Sequence, residues 1–179
     1  MTKNVTAQTE NLIIAPYLPR YLRALLRSRE EFENTAGLRV ADGIREQLCE
    51  GSADFKARVE AGKQPDPWQF GFAIIHKADN VVMGTCGFPG PPDGNGVAEI
   101  AYGIAPAYQG RGYATEAAKF LIQFAADDRR VRTICAHTLA EPNASTRVLQ
   151  KCGLKKVGEA VDPENGLRVW RWERPLTSE

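Results

Sequence analysis

Along this chain of 179 residues the apolar positions switch repeatedly between strand-like runs and helical spacing. Leu12-Ile13-Ile14-Ala15-Pro16 reads as a short first strand. Leu18, Leu22, Leu25 and Leu26 then recur at helical spacing, and Pro19 stands near the start, where a missing N–H costs nothing, so a helix of about ten residues is predicted. From Arg29 to Gly62 the chain is charged; Val40, Ile44 and Leu48 fall four apart, as do Phe55 and Val59. That spacing predicts two helices broken near Glu50-Gly51-Ser52, the second capped by Ser52 or Asp54. Trp68 to His76 reads as a strand, Ala78-Asp79-Asn80 as a tight turn, and Val81 to Phe88 as the antiparallel return. Pro89 to Gly96 is a loop rich in Pro and Gly.

The second half follows the same logic. Val97 to Ile104 is a strand, ended by Pro106. A helix from near Arg111 to about Ala126 carries Ala114, Ala117, Ala118, Leu121 and Ala125 on one stripe, small enough for close approach to a sheet. Val131 to Thr138 is a strand, and Asn143 or Ser145 is placed to cap a short helix ending at Cys152, with Gly153 as its left-handed terminator. Leu154 to Val157 and Leu167 to Trp172 are strands around a turn at Asp162 to Gly166. The order predicts a mixed α+β domain with a central twisted sheet. Residues 1–10 are polar and are expected to form a flexible N-terminus, with residues 11–179 as a single domain.

Charge changes the picture little. The formal net charge is +1, which gives no argument for a nucleic-acid or membrane-surface partner. Cys49, Cys86, Cys135 and Cys152 are widely spaced and only two histidines accompany them, so no metal site is expected. That cysteine usage fits reduced thiols, and no secretory signal or long apolar stretch is evident, so a cytoplasmic protein is expected.

The candidate chemistry lies at Tyr108-Gln109-Gly110-Arg111-Gly112-Tyr113-Ala114-Thr115-Glu116-Ala117, between a predicted strand and a predicted helix. Two glycines one residue apart allow a turn that aims several backbone N–H groups at one anion, and the helix adds its positive end. No Lys-Ser/Thr pair follows, so this is not a P-loop, and the glycine spacing falls short of a dinucleotide fingerprint.

Gln109, Gly112 and Ala114 fill the fixed places of the pattern Gln/Arg-x-x-Gly-x-Gly/Ala, and Asn143 to Leu154 forms a second matching block. On these residues the chain resembles the GCN5-related N-acetyltransferases over roughly residues 11–175. Glu99, Tyr102 and Ile104 before the cradle, and Tyr113 to Ala117 within it, resemble the subgroup that acetylates ribosomal-protein N-termini. The resemblance implies a mostly antiparallel twisted sheet of six to seven strands flanked by helices. It also implies acetyl-CoA as co-substrate and direct transfer of acetyl to a primary amine. The acceptor would be a protein or peptide N-terminus, or else a small amine such as an amino acid, polyamine or aminoglycoside. A non-catalytic acyl-CoA-binding module on the same fold is the alternative of a different class, and the resemblance allows a homodimer.

It further implies that backbone groups at Tyr102, Gly103 and Ile104 pair with the pantetheine arm, on a strand splayed from its neighbour. The cradle of Gln109, Gly110, Arg111, Gly112, Tyr113 and Ala114 would take the pyrophosphate, and Asn143 would line the arm. Glu99 is a candidate base, or else orients the amine or pairs with an arginine. Ser145 matches a serine of the N-terminal-acetylating subgroup and either donates towards the sulfur or caps its helix. Leu149 stands where many relatives carry an acidic tyrosine, and Pro142 stands where an asparagine is usual, with Asn143 one place late. His137 is a possible second base or a satisfied strand-end histidine; Glu116, in the first helical turn, is read as structural.

Overall fold

The computed structural model describes residues 6–162 and 165–176. A two-residue strand β1 (Ala7–Gln8) pairs antiparallel with β2 (Leu12–Pro16), so part of the polar N-terminal stretch is held to the sheet; residues 1–5 lie outside the described residues. Helix α1 (Pro19–Arg27) begins on its proline.

The charged stretch that follows holds more structure than its periodicity predicts. It contains α2 (Arg29–Ala36), a two-residue strand β3 (Arg39–Val40), α3 (Ile44–Cys49) and α4 (Ala53–Ala61). Helix α2 buries only Phe32, so it shows no apolar stripe; its signal is the Ser28 cap, whose hydroxyl accepts from the Glu31 N–H at 3.0 Å. Ser52 caps α4 in the same way.

A second difference lies at Trp68. Instead of opening a strand, Trp68 sits in one helical turn, α5 (Pro67–Phe70). Asp66 Oδ1 accepts from the Trp68 N–H at 3.0 Å, and Pro67 pre-sets the backbone at the first helical position. The Asp-Pro pair outweighs the β-propensity of the aromatic residues after it. The strand starts at Phe72.

The sheet is built from β4 (Phe72–His76), β5 (Val81–Gly87), β6 (Val97–Glu99), β7 (Ala101–Ile104), β8 (Thr133–Leu139), β9 (Lys155–Val161) and β10 (Arg168–Pro175). Helices α6 (Tyr113–Ala126) and α7 (Ala144–Lys151) pack with it. One layer runs β1-β2-β4-β5-β3, with β7 also on β5; the other runs β6-β8-β10-β9. All pairings are antiparallel except β3 with β5 and β6 with β8. The predicted turn at 162–166 includes residues 163–164, which lie outside the described residues.

Side-chain alternation on β4 divides the core. Phe72 and Ile74 join Leu12, Ile14, Met83, Ala117, Ala118 and Leu121 beneath α6. Ala73 and Ile75 face the other way, with Leu22, Leu25, Phe32 and Val59 of α1, α2 and α4. Trimming a fully buried residue such as Leu121 or Leu25 to Ala costs about 2–5 kcal/mol. The functional geometry arises between the layers, where the run 97–104 changes partners.

Candidate active site

Residues 97–104 read as one strand in sequence, but they serve two sheets. β6 pairs parallel with β8 from Val97 to Glu99, and the last bond between them runs from Ile100 N–H to the Cys135 carbonyl at 2.9 Å. From Ala101 onward the chain leaves β8 and pairs antiparallel with β5. Ala105 N–H donates to the Met83 carbonyl at 2.8 Å, which fixes the alternation. Residues 101 and 103 therefore bond to β5, while the backbone groups of Tyr102 and Ile104 point to the opposite edge. That edge opens into a cleft. The Ile104 carbonyl is satisfied there by Gln109 Nε2 at 2.9 Å.

The cleft has a volume of about 520 Å³. Its walls include Tyr102, Gly103 and Ile104 from β7 and Gln109, Gly110, Gly112, Tyr113 and Ala114 from the glycine turn; Ser145, Arg147 and Lys151 come from α7. Arg111 is exposed and does not line it. Gly110 and Gly112 have φ of 75° and 85°, a region that side chains disfavour. Helix α6 has no side-chain cap. The N–H groups of Gly110, Arg111, Gly112, Tyr113 and Ala114 find no acceptor among the described residues, while Thr115 and Glu116 already bond to the Gly112 carbonyl. Five unpaired donors at a helix N-terminus form an anion nest. Among the described residues no Asp or Glu lines the cleft, and Arg147 and Lys151, one turn apart, add positive charge. The residues present therefore fit a diphosphate.

Asn143 is engaged elsewhere. Its Oδ1 accepts from Thr146 N–H at 3.0 Å and Thr146 Oγ1 accepts from Asn143 N–H at 3.1 Å, a reciprocal cap of α7. Asn143 is absent from the cleft wall. This leaves the Ser145 hydroxyl without a capping duty, on the wall, and beside the Tyr102 hydroxyl. The Tyr102 hydroxyl lies 3.5 Å from the Ser145 carbonyl, and burial pushes the phenol well above its ordinary pKa, so it stays protonated. The Tyr113 hydroxyl is 2.9 Å from His76 Nε2. Leu149 is 1% exposed and belongs to the core.

Neither Glu99 nor His137 lines this cleft or the next one described below, yet the two side chains are partners. Glu99 Oε1 lies 2.8 Å from His137 Nδ1. Opposite a carboxylate, Nδ1 is the nitrogen that carries a proton, which directs Nε2 away from Glu99. Glu116 accepts from Thr9 Oγ1 at 2.5 Å and Asn11 Nδ2 at 3.1 Å, tying α6 to the β1–β2 connection.

On the other side of β7 a second cleft of about 490 Å³ begins, and the two share Gln47, Tyr102 and Gly103. The Gln47 side chain lies over Gly103. Sequence reading missed Gln47 because it is an isolated polar residue on a short helix. It missed Arg147 and Lys151 because surface charges on a capped helix carry no signal until the cleft is seen. No group of His, Cys, Asp and Glu suited to a metal exists among the described residues. No helix among them is long and apolar enough to cross a membrane.

Comparison with known proteins agrees with this geometry. Residues 13–155 match the family model described as an acetyltransferase (GNAT) domain. An uncharacterized N-acetyltransferase, p20, of Bacillus licheniformis is 34% identical over 93 residues, covering 52% of each chain. The chain thus spans about half the length of the curated relatives it matches. Among solved structures, the ribosomal-protein-S5-alanine acetyltransferase of Vibrio fischeri superposes with a TM-score of 0.66 at 14% identity, covering 96% of both chains. RimL, a ribosomal L7/L12 alpha-N-protein acetyltransferase in complex with coenzyme A, gives 0.65 at 16% identity, covering 96% of this chain and 97% of its own. These two likenesses concern the fold; the family model covers most of the sequence, and the chain belongs to the GNAT acetyltransferase family.

Proposed function

We propose that this protein is an acetyl-CoA-dependent N-acetyltransferase that acetylates a primary amine by direct attack, with the free N-terminus of a protein or peptide as acceptor. The observation that carries the reading is the row of five unpaired amides at 110–114, at the head of a cleft that continues along the free edge of β7. Such a row holds a diphosphate, and the free edge offers N–H and C=O groups to an extended amide-bearing arm. Two features support the peptide acceptor: the ribosomal-protein acetyltransferases among the structural neighbours, and the absence, among the described residues, of any acidic residue lining the second cleft, which disfavours polyamines and aminoglycosides.

Acetyl-CoA supplies the acetyl group as an activated thioester. The residues of this chain do the rest. The amides of 110–114, with Arg147 and Lys151, hold the diphosphate, and the Tyr102 and Ile104 N–H groups on the β7 edge are the donors available to the arm and to charge on the carbonyl oxygen. His137 Nε2 takes the proton that the amine must lose as its bond to the acyl carbon forms. Glu99 fixes the ring's tautomer and stabilises the imidazolium that results. The Ser145 and Tyr102 hydroxyls are donors on the cleft wall, and Ser145 would donate a hydrogen bond to the sulfur as the carbon–sulfur bond breaks, the thiolate's proton coming back from the imidazolium through solvent. On this reading Glu99 acts as the orienting partner of His137.

The test is mass detection of acetylated product from a panel of free-amine peptides and small amines with acetyl-CoA. Acetylation confined to peptide N-termini supports the reading. Binding of acetyl-CoA without transfer to any amine would leave the acyl-CoA-binding module instead.

A further inference from the structure

The second cleft holds two buried donors with nothing to bond. The Tyr17 hydroxyl and Arg58 Nε have no hydrogen-bond partner among the described residues. Tyr17 is only 3% exposed. Burial, with Cys86 close by, pushes its phenol far above the ordinary value, so it remains a donor. Arg58 comes from α4 and Tyr17 from the segment between β2 and α1, so distant parts of the chain converge here. Among the described residues Arg58 is the one charged side chain on the wall, and no ion pair for it is found among them. Phe55 and Phe70 supply apolar wall beside it.

A guanidinium and a phenol without acceptors are costly in a dry cleft and favourable beside an anion. The cleft meets the cofactor cleft at Gln47, Tyr102 and Gly103. We propose that this cleft selects an acceptor amine that also bears an anionic group, held by Arg58 and the Tyr17 hydroxyl while the amine faces the acetyl donor. The inference rests on the acetyltransferase reading above. The anion has two sources: an acidic side chain at the start of a peptide, or the carboxylate of a small amino acid.

The experiment measures kcat/KM at saturating acetyl-CoA for peptides beginning Asp or Glu against peptides beginning Asn or Gln, and for free glutamate against spermidine. In parallel, calorimetry measures binding of the same compounds to the protein loaded with coenzyme A, so recognition is read without turnover. The expected result is a preference for the anionic partner of roughly 30-fold, as for a buried hydrogen-bonded charge pair. Arg58→Gln should abolish the preference and Tyr17→Phe reduce it, with coenzyme A affinity unchanged in both as the check on folding. The peptide and glutamate arms assign the source. Equal binding and equal rates for anionic and neutral acceptors, faster turnover of spermidine, or a preference that survives Arg58→Gln each overturn the proposal. Undiscriminating transfer to all amines would sink it while leaving the acetyltransferase reading intact.

Discussion

Glu99 Oε1 and His137 Nδ1 meet at 2.8 Å, joining β6 to β8 just where the two strands part. Glu99 is paired with Cys135 in the ladder, and His137 lies two residues further along β8, so the contact reaches past the last backbone hydrogen bond between the strands. The carboxylate holds the imidazole with Nε2 free. His137→Ala should lower kcat by about 10²-fold or more, the usual contribution of a positioned base, with KM for acetyl-CoA unchanged. Glu99→Gln should lower it less. Steady-state kinetics across pH checks both; a His137→Ala enzyme of wild-type rate would remove histidine from the mechanism.

At the glycine turn, backbone conformation and function are bound together. Space is open around Gly110 and Gly112, so a methyl group would meet no neighbour. Their positive φ is the obstacle: an L-residue there costs about 1–2 kcal/mol. Gly112→Ala should lower Tm by a few degrees, about 2–4 °C per kcal/mol for a chain of this size. It should weaken coenzyme A binding by more than that strain alone, because the five amides would no longer converge. Calorimetric titration and thermal unfolding of the same sample separate the two effects.

Gln109 acts one step behind the nest. Its side-chain amide ties down the Ile104 carbonyl on the free edge of β7. Gln109→Ala should leave that carbonyl unpaired and raise KM for acetyl-CoA roughly fivefold, as expected for one net hydrogen bond, with Tm little changed. A change in Tm without one in KM would make Gln109 purely structural.

The division of the chain into strands and helices was legible where a long element buries one face. The stripe Ala117, Ala118, Leu121 and Ala125 and the run Leu12 to Ile14 both carry their burial in their spacing. Helix α2 was not legible, because a helix that buries only Phe32 has no period to show. The cradle was legible because positive φ demands glycine. The pairing of Glu99 with His137 was not, since it depends on the register of two strands 38 residues apart in sequence. Asn143 and Ser145 were interchangeable as caps on paper; the structure gives the cap to Asn143 and releases the Ser145 hydroxyl to the cleft. The anion-seeking pair Tyr17 and Arg58 left no local signature, since each looks like an ordinary residue until the fold removes its partners.

The cysteines make a separate prediction. Cys86 and Cys152 are buried with their thiols pushed up by burial, and burial with the Glu99 charge pushes Cys135 up to about 11. A thiol reacts as its thiolate, so these three should resist alkylation in the native protein. Cys49, half-buried at the end of α3, should be modified first. Iodoacetamide labelling followed by peptide mass mapping checks the order, and rapid labelling of Cys135 would contradict the burial described.

The structure of the protein crystallised with coenzyme A would show whether the glycine turn is the phosphate site. Diphosphate oxygens are expected within hydrogen-bonding distance of the amides of residues 110–114, with the arm running along the free edge of β7 at Tyr102 and Ile104. Phosphates bound away from Gly110 and Gly112, or an arm that does not enter the gap between β7 and β8, would contradict that expectation.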